Sequence, residues 1–364
     1  MVKQSRNGSL DLIKFLLAVA LVFFHGKAAM VSASGALFVR GASAVESFFI
    51  IAGFFMAKAA VEKQTPSFEY MKGRYFGLFP YHTFSFVLAF VAKCLMMGYF
   101  SFGFVECIKH ICTLGMLAVP EFLLFAPLAG MKFMAGINGI EWYLSGMLLG
   151  MALLYPFIRK WTKYFCRYAA PLIFLFGSGV LHLLLGTYRG SYDTVGGVFC
   201  TGLIRALAML SLGVFVYALY EILKEKSNLD KTGTRVAITI IAVLCWLVVF
   251  YYLNSHLPKY YEFAMVYFAG LGTLLSATGK TYLSKPLSNG FVRFLGKLSL
   301  PVFLNQGWIR KLMISYKVCE KLNLGYWAGM ALFFALTIAV SLICILVMDN
   351  IMKAIRKKRA QANG

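Results

Sequence analysis

Three ionisable groups stand in the first apolar stretch, "LDLIKFLLAVALVFFHG" (residues 10–26): Asp11, Lys14 and His25. A helix turns about 100° per residue, so Lys14 and His25 share a face and lie roughly 16 Å apart along the axis. Asp11 falls on much the same face one turn earlier, and at i,i+3 it can also pair with Lys14 at a headgroup boundary. Ionisable side chains in apolar segments are costly and usually face a bundle interior or a water-filled cavity. Other segments supply company: Glu46 in "SAVESFFIIAGFF", Glu141 in "NGIEWYLSGMLLG", His182 in "GVLHLLLG", Arg205 in "TGLIRALAML", and Asn305 and Gln306 in "PVFLNQGW". Each alone suits snorkelling or packing. Together they predict a polar cavity opening outward, with a basic inner mouth near Lys14, Lys72 and Arg74. That layout serves either a transporter or an enzyme whose two substrates arrive from opposite sides.

The elements that position these groups follow from composition. Of 364 residues, 60% are hydrophobic, 16% aromatic and 14% charged, and the mean hydropathy is +0.74. A soluble domain is typically about 25% charged. The chain therefore reads as an all-α integral membrane protein, since helices satisfy their own backbone in lipid. Apolar runs near 10–28, 44–61, 76–97, 140–158, 169–186, 199–220, 236–253, 262–279, 294–313 and 326–348 predict about ten transmembrane helices. The first is read as a retained span, because Asp11 and Lys14 interrupt what could otherwise pass for a secretory signal. Residues 1–350 form one membrane domain, and 351–364 form a basic cytoplasmic tail. The connection 98–139 is too apolar for a solvated loop and predicts a re-entrant or surface-lying helix.

The formal net charge is +22, from 36 Lys and Arg against 14 Asp and Glu. Lys3, Arg6, Lys63, Lys72, Arg74, Arg159, Lys160, Lys224, Lys231 and Lys285 lie in one set of connections. Fewer lie in the other set: Lys27, Arg40, Lys109, Lys132, Arg189 and Lys259. The positive-inside rule puts the first set and both termini in the cytoplasm. Arg310, Lys311, Lys317 and Lys321 break that pattern: either that connection binds something anionic outside, or the ninth span is misplaced. The basic residues orient the protein and meet anionic lipid, so nucleic acid is not a partner. The eight cysteines are scattered singly, and no Cys/His spacing indicates a metal site.

Several stretches, in order, resemble the membrane-bound acyltransferase 3 family. "LDLIKFLLAVALVFFHG" is similar to its opening Leu-Asp-x-x-Arg helix with a His eleven residues after the Arg. "VESFFIIAGFFM" is similar to its second helix, "YMKGRYFGLFP" to the basic segment before its third, and "EWYLSGMLL" and "FLGKLSLPVFLNQGW" to later helices. The resemblance implies a ten-helix multi-pass protein of the cytoplasmic membrane, moving an acyl group, often acetyl, from cytoplasmic acyl-CoA to an extracytoplasmic carbohydrate. It implies His25 as the catalytic base; Glu46 and Glu141, from the polar groups in the spans, are further candidate catalytic groups. Lys14, standing where the family has Arg, would meet the donor with Arg74 and Lys72. Arg205, His182, Asn305 and Gln306 remain candidate acceptor contacts. Gly77, Ala52 and Asn305-Gln306 depart from residues common in the family. A family member that carries a small molecule across the membrane without catalysis is the alternative.

Overall fold

The computed structural model describes residues 7–31, 35–125, 135–188, 194–195, 199–225 and 227–362. Lys3, Arg6, Lys132 and Arg189, used above for orientation, lie outside them. The long helices are α1 (Gly8–Gly26), α2 (Ala44–Lys58), α3 (Ser67–Met96), α4 (Phe104–Phe122), α5 (Glu141–Lys160), α6 (Ala170–Leu185), α7 (Thr201–Lys224), α8 (Thr232–Asn254), α9 (Glu262–Ala277), α10 (Gly290–Ser315) and α11 (Tyr326–Ala362). Two two-residue strands, β1 (Thr194–Val195) and β2 (Phe199–Cys200), pair antiparallel. The all-α membrane fold read from composition is the one observed.

Ten of these helices coincide with the ten apolar runs. Eight helical segments among the described residues are long and apolar enough to cross a membrane. Of the remaining two, α9 has only 16 residues, and α10 carries Arg293, Lys297, Arg310 and Lys311. Helix α4 occupies the connection where a short helix was expected. It is amphipathic, burying Leu114, Ala118 and Glu121 and exposing Phe104, Val105 and Met116. The last helix runs through residue 350 without a break, so the basic tail continues its spiral.

Helix ends follow local chemistry. The Asn7 side chain caps α1 by accepting from the Leu10 N–H at 3.2 Å, and Asn289 caps α10 by accepting from Val292 at 2.9 Å. Both satisfy N–H groups that a helix start leaves without partners.

Two packed clusters build the bundle. One joins α2, α5, α6, α7, α8 and α9 around Phe49, Phe54, Leu144 and Tyr217, with Leu17 and Leu21 of α1, Tyr70 of α3 and Leu304 of α10 packed into it. The other joins α1, α3, α4, α10 and α11 around Val22, Phe86, Val302 and Phe333. Within the first, α2 and α7 touch backbone to backbone: a Cβ on Gly53 would lie 2.1 Å from the Leu210 carbonyl oxygen, and one on Gly213 would lie 2.1 Å from that of Ile50. Small residues permit that approach where lipid offers no hydrophobic driving force between helices. In the second cluster, Asp11 of α1 lies against Gly296 of α10. The two cavities described below are lined by helices of both clusters.

Candidate active site

At the end of the bundle where α1 begins, a basin of about 1040 Å³ is bounded by α1, α2, α3, the turn after α9 and the segment before α10. Its basic lining is Lys14, Lys58, Lys63, Arg74 and Lys285, against Asp11 and Glu69. Deeper along the same helices lies a second cavity of about 560 Å³, lined mostly by apolar side chains including Phe48, Ile51, Ala52, Leu78, Leu144, Met147 and Leu300. Lys14, Phe55 and Arg74 line both cavities. The two spaces therefore meet at a basic neck.

Each neck cation has a reason to be where it is. Lys14 Nζ lies 2.6 Å from Asp11 Oδ1, with the lysine side chain 25% exposed and the carboxylate 5%. The local pair and the cavity role therefore coexist, because the ammonium can serve both sides. Arg74 donates from Nε to the Tyr70 hydroxyl at 3.1 Å, and Tyr70 stacks on Tyr155 with ring centroids 3.9 Å apart. That stack braces the guanidinium from the α5 side. Lys72, two residues away, is exposed and lies over Phe68; it lines neither cavity.

Beyond the neck, Tyr81 donates to Asp349 at 3.3 Å and Lys297 pairs with the same carboxylate, tying α3, α10 and α11 together. The far limit of the inner cavity is aromatic. Tyr143 and Phe303 have centroids 5.1 Å apart, and Phe48 lies 6.2 Å from Tyr143 and 6.5 Å from Phe303. All three line the inner cavity.

His25 stands at the other end of α1 from Asp11 and Lys14. Its neighbours are Gln306, within hydrogen-bonding reach, and Arg310 and Lys27, within electrostatic reach. Its Nδ1 is buried without a hydrogen-bond partner among the described residues, as are both amide atoms of Gln306 and Nε of Arg310. His25 and Lys14 thus share helix α1 but not a cavity lining: Lys14 borders both spaces and His25 borders neither.

The single outward-opening cavity expected from Glu46, Glu141, His182 and Arg205 does not form among the described residues. Glu46 and Arg205 are turned toward each other, with Arg205 Nη2 2.7 Å and Nε 2.9 Å from Glu46 Oε1. The guanidinium also lies over Trp142, 5.0 Å from the ring centroid. Glu141 accepts from the Gly139 and Ile140 N–H groups at 2.8 and 3.0 Å, closing the start of its own helix. His182 is exposed and meets Phe263 edge-on at 6.1 Å. Asn305 donates to the Pro301 carbonyl at 2.9 Å and accepts from Trp308 at 3.1 Å. Polar groups in a low-dielectric interior take nearby partners first, as Glu46 with Arg205 and Glu141 with backbone amides do here, although one oxygen of each carboxylate is left without a partner among the described residues. Only Gln306 of the Asn305-Gln306 pair faces His25.

Several contributors lay outside the sequence reading. Lys63 and Lys285 were connection charges, and Lys58 lay inside the second apolar run at the end of α2; their convergence depends on how the connections fold together. Glu121 accepts from Gly136 and Ile137 at 2.6 and 2.8 Å, and Lys311 donates to the carbonyls of the same two residues at 2.8 and 3.1 Å. That clasp fixes the strand of chain entering α5. Tyr143, Phe303 and Lys297 sat inside quoted motifs, but nothing local separated them from packing residues.

The acyltransferase domain family model matches residues 7–346, nearly the whole chain. Neither curated proteins nor solved structures yield a match. The chain belongs to the acyltransferase 3 family and is a multi-pass membrane acyltransferase.

Proposed function

We propose that this acyltransferase takes an acyl group, acetyl being the simplest, from acyl-CoA and passes it to a hydroxyl of an extracytoplasmic envelope glycan, with His25 as general base. The observation that carries the reading is the pair of cavities meeting at Lys14 and Arg74. A wide basic basin suits the phosphates and nucleotide of coenzyme A, because Lys and Arg make charge-assisted hydrogen bonds to phosphate. A narrower, largely apolar extension suits the pantetheine arm and the acyl end. The basin lies at the end that the positive-inside rule assigns to the cytoplasm, and His25 lies toward the opposite end of α1. The membrane is then the cytoplasmic one.

In this reading the donor threads from the basin, past the neck, to the aromatic group of Phe48, Tyr143 and Phe303. His25 takes the proton from the acceptor hydroxyl as its oxygen bonds to the thioester carbonyl carbon. The carbon–sulfur bond then breaks, the ester stays on the glycan, and the coenzyme A thiolate leaves and takes up a proton. Imidazole is the side chain whose ordinary pKa best suits this exchange near neutral pH. Glu46 and Glu141 hold helix ends and pairs together and do not touch the reacting atoms.

Protein in nanodiscs, radiolabelled acetyl-CoA and a crude envelope-glycan fraction test the reading. Label transfer is expected with wild type and lost in a folded His25→Ala protein that still binds acetyl-CoA. Equal transfer by both proteins removes His25 as the base. Failure of both to bind acetyl-CoA removes the donor assignment.

A further inference from the structure

The basic residues late in α10 broke the charge pattern of the sequence, and their surroundings give them a use. A Cβ on Gly296 would lie 2.6 Å from the Asp11 carboxyl carbon, so α1 and α10 meet near their starts. They run parallel from that contact. Fourteen residues further along, at equal rise per residue, His25 and Arg310 come level. Gln306 lies one turn earlier on the same face as Arg310.

This patch concentrates unmet hydrogen-bonding capacity. Gln306 is 0% exposed and lies within hydrogen-bonding reach of His25, yet neither its amide atoms nor His25 Nδ1 nor Arg310 Nε has a well-directed hydrogen bond among the described residues. Buried polar groups are overwhelmingly paired, and even with His25 and Gln306 turned toward each other the second Gln306 amide atom and Arg310 Nε are left over, which points to an absent ligand or to water. The acids at this end are engaged elsewhere: Glu46 with Arg205, Glu262 with Ser43 and Thr187, Glu320 with Lys317, and Glu121 and Glu141 with loop amides. Among the described residues Arg310 has no carboxylate. A guanidinium at membrane depth needs an anionic or polar partner.

We propose that Gln306 and Arg310 form the acceptor subsite beside His25, and that the acceptor is an anionic glycan whose carboxylate or phosphate sits on Arg310. The planar fork takes two oxygens of such a group, while the Gln306 amide meets a sugar hydroxyl. Holding the anion at the level of His25 presents a neighbouring hydroxyl to the imidazole. The assignment rests on His25 as base, but its test needs neither donor nor turnover.

Unfolding temperature is followed in phosphatidylcholine nanodiscs with methyl glucuronoside, methyl glucoside 6-phosphate or methyl glucoside, up to about 10 mM, where a millimolar site fills. The expected result is stabilisation by either anionic sugar and little by the neutral one. Arg310→Gln should weaken the apparent affinity roughly ten- to a hundredfold, the worth of a hydrogen bond to a charged group. Arg310→Lys, which keeps the charge, should retain part of it and guards against a folding defect. No shift with any sugar, an equal shift with the neutral sugar, or an unchanged response in Arg310→Gln overturns the proposal. So does an Arg310-dependent shift produced only by adding phosphatidylglycerol, which would assign the arginine to a lipid headgroup.

Discussion

Glu46 and Arg205 could be read as reacting groups or as a scaffold, and a stability experiment separates the two. The Arg205 and Glu46 side chains are 3% and 0% exposed, and their closest contact is 2.7 Å. A second contact of 2.9 Å and the Trp142 ring beneath the guanidinium complete the pair. Removing one partner leaves the other charge buried without compensation, which costs about 3–5 kcal/mol. Replacing both by apolar side chains of similar volume is often near neutral. Arg205→Met and Glu46→Leu should each be strongly destabilising, and the double variant should regain much of the loss. At about 2.1 cal/mol/K of unfolding entropy per residue, each single change lowers the melting temperature by at least roughly 4 °C. The lipid-bound unfolded state keeps helices and gains less entropy, which enlarges the shift. The assay is thermal unfolding in one detergent at one scan rate, with label transfer measured on the double variant at low temperature. Single variants that melt like wild type, or a double variant no better than the worse single, would refute the scaffold reading. So would a stable double variant with no transfer, which would return the pair to the chemistry.

Three further outcomes follow from the cavities and the packing. Lys14→Gln and Arg74→Gln should each weaken acetyl-CoA binding by about tenfold or more in a filtration assay, whereas Lys72→Gln should not; an equal effect of Lys72 would remove the neck assignment. Ala52→Phe places a ring in the inner cavity and should cut binding of longer acyl-CoAs far more than that of coenzyme A itself, read by competition titration. Gly213→Ala puts a methyl group 2.1 Å from the Ile50 carbonyl oxygen, so the α2–α7 contact must open; loss of a monodisperse peak on size-exclusion chromatography is expected, and wild-type behaviour would mean the two helices separate freely.

The first span shows how far a one-dimensional reading reaches. The spacing of Lys14 and His25 put both on one helix face, and they do share α1. Whether they share a space depended on side chains from other helices, and the cavities that Lys14 lines do not include His25. The local Asp11–Lys14 pair was legible because i,i+3 neighbours meet on any helix. The Glu46–Arg205 pair was not, since its members lie 159 residues apart. Gln306 and Asn305 are adjacent in the chain, yet one faces His25 and the other binds its own helix. A rotation of about 100° between consecutive residues separates those fates.

The sequence by itself determined that the chain is helical and membrane-spanning, where the helices lie, and which family it belongs to. Those properties reside in runs of about twenty residues and in short ordered motifs, because lipid makes each helix satisfy its own backbone. Tertiary structure decided which polar groups cancel one another and which remain available. That choice depends on helix rotation and crossing, and it turns Glu46 and Arg205 toward each other and Glu141 and Asn305 toward backbone groups at their own helices. It left Lys14 and Arg74 at the neck of the cavities, and His25, Gln306 and Arg310 with unmet hydrogen bonds at the far end.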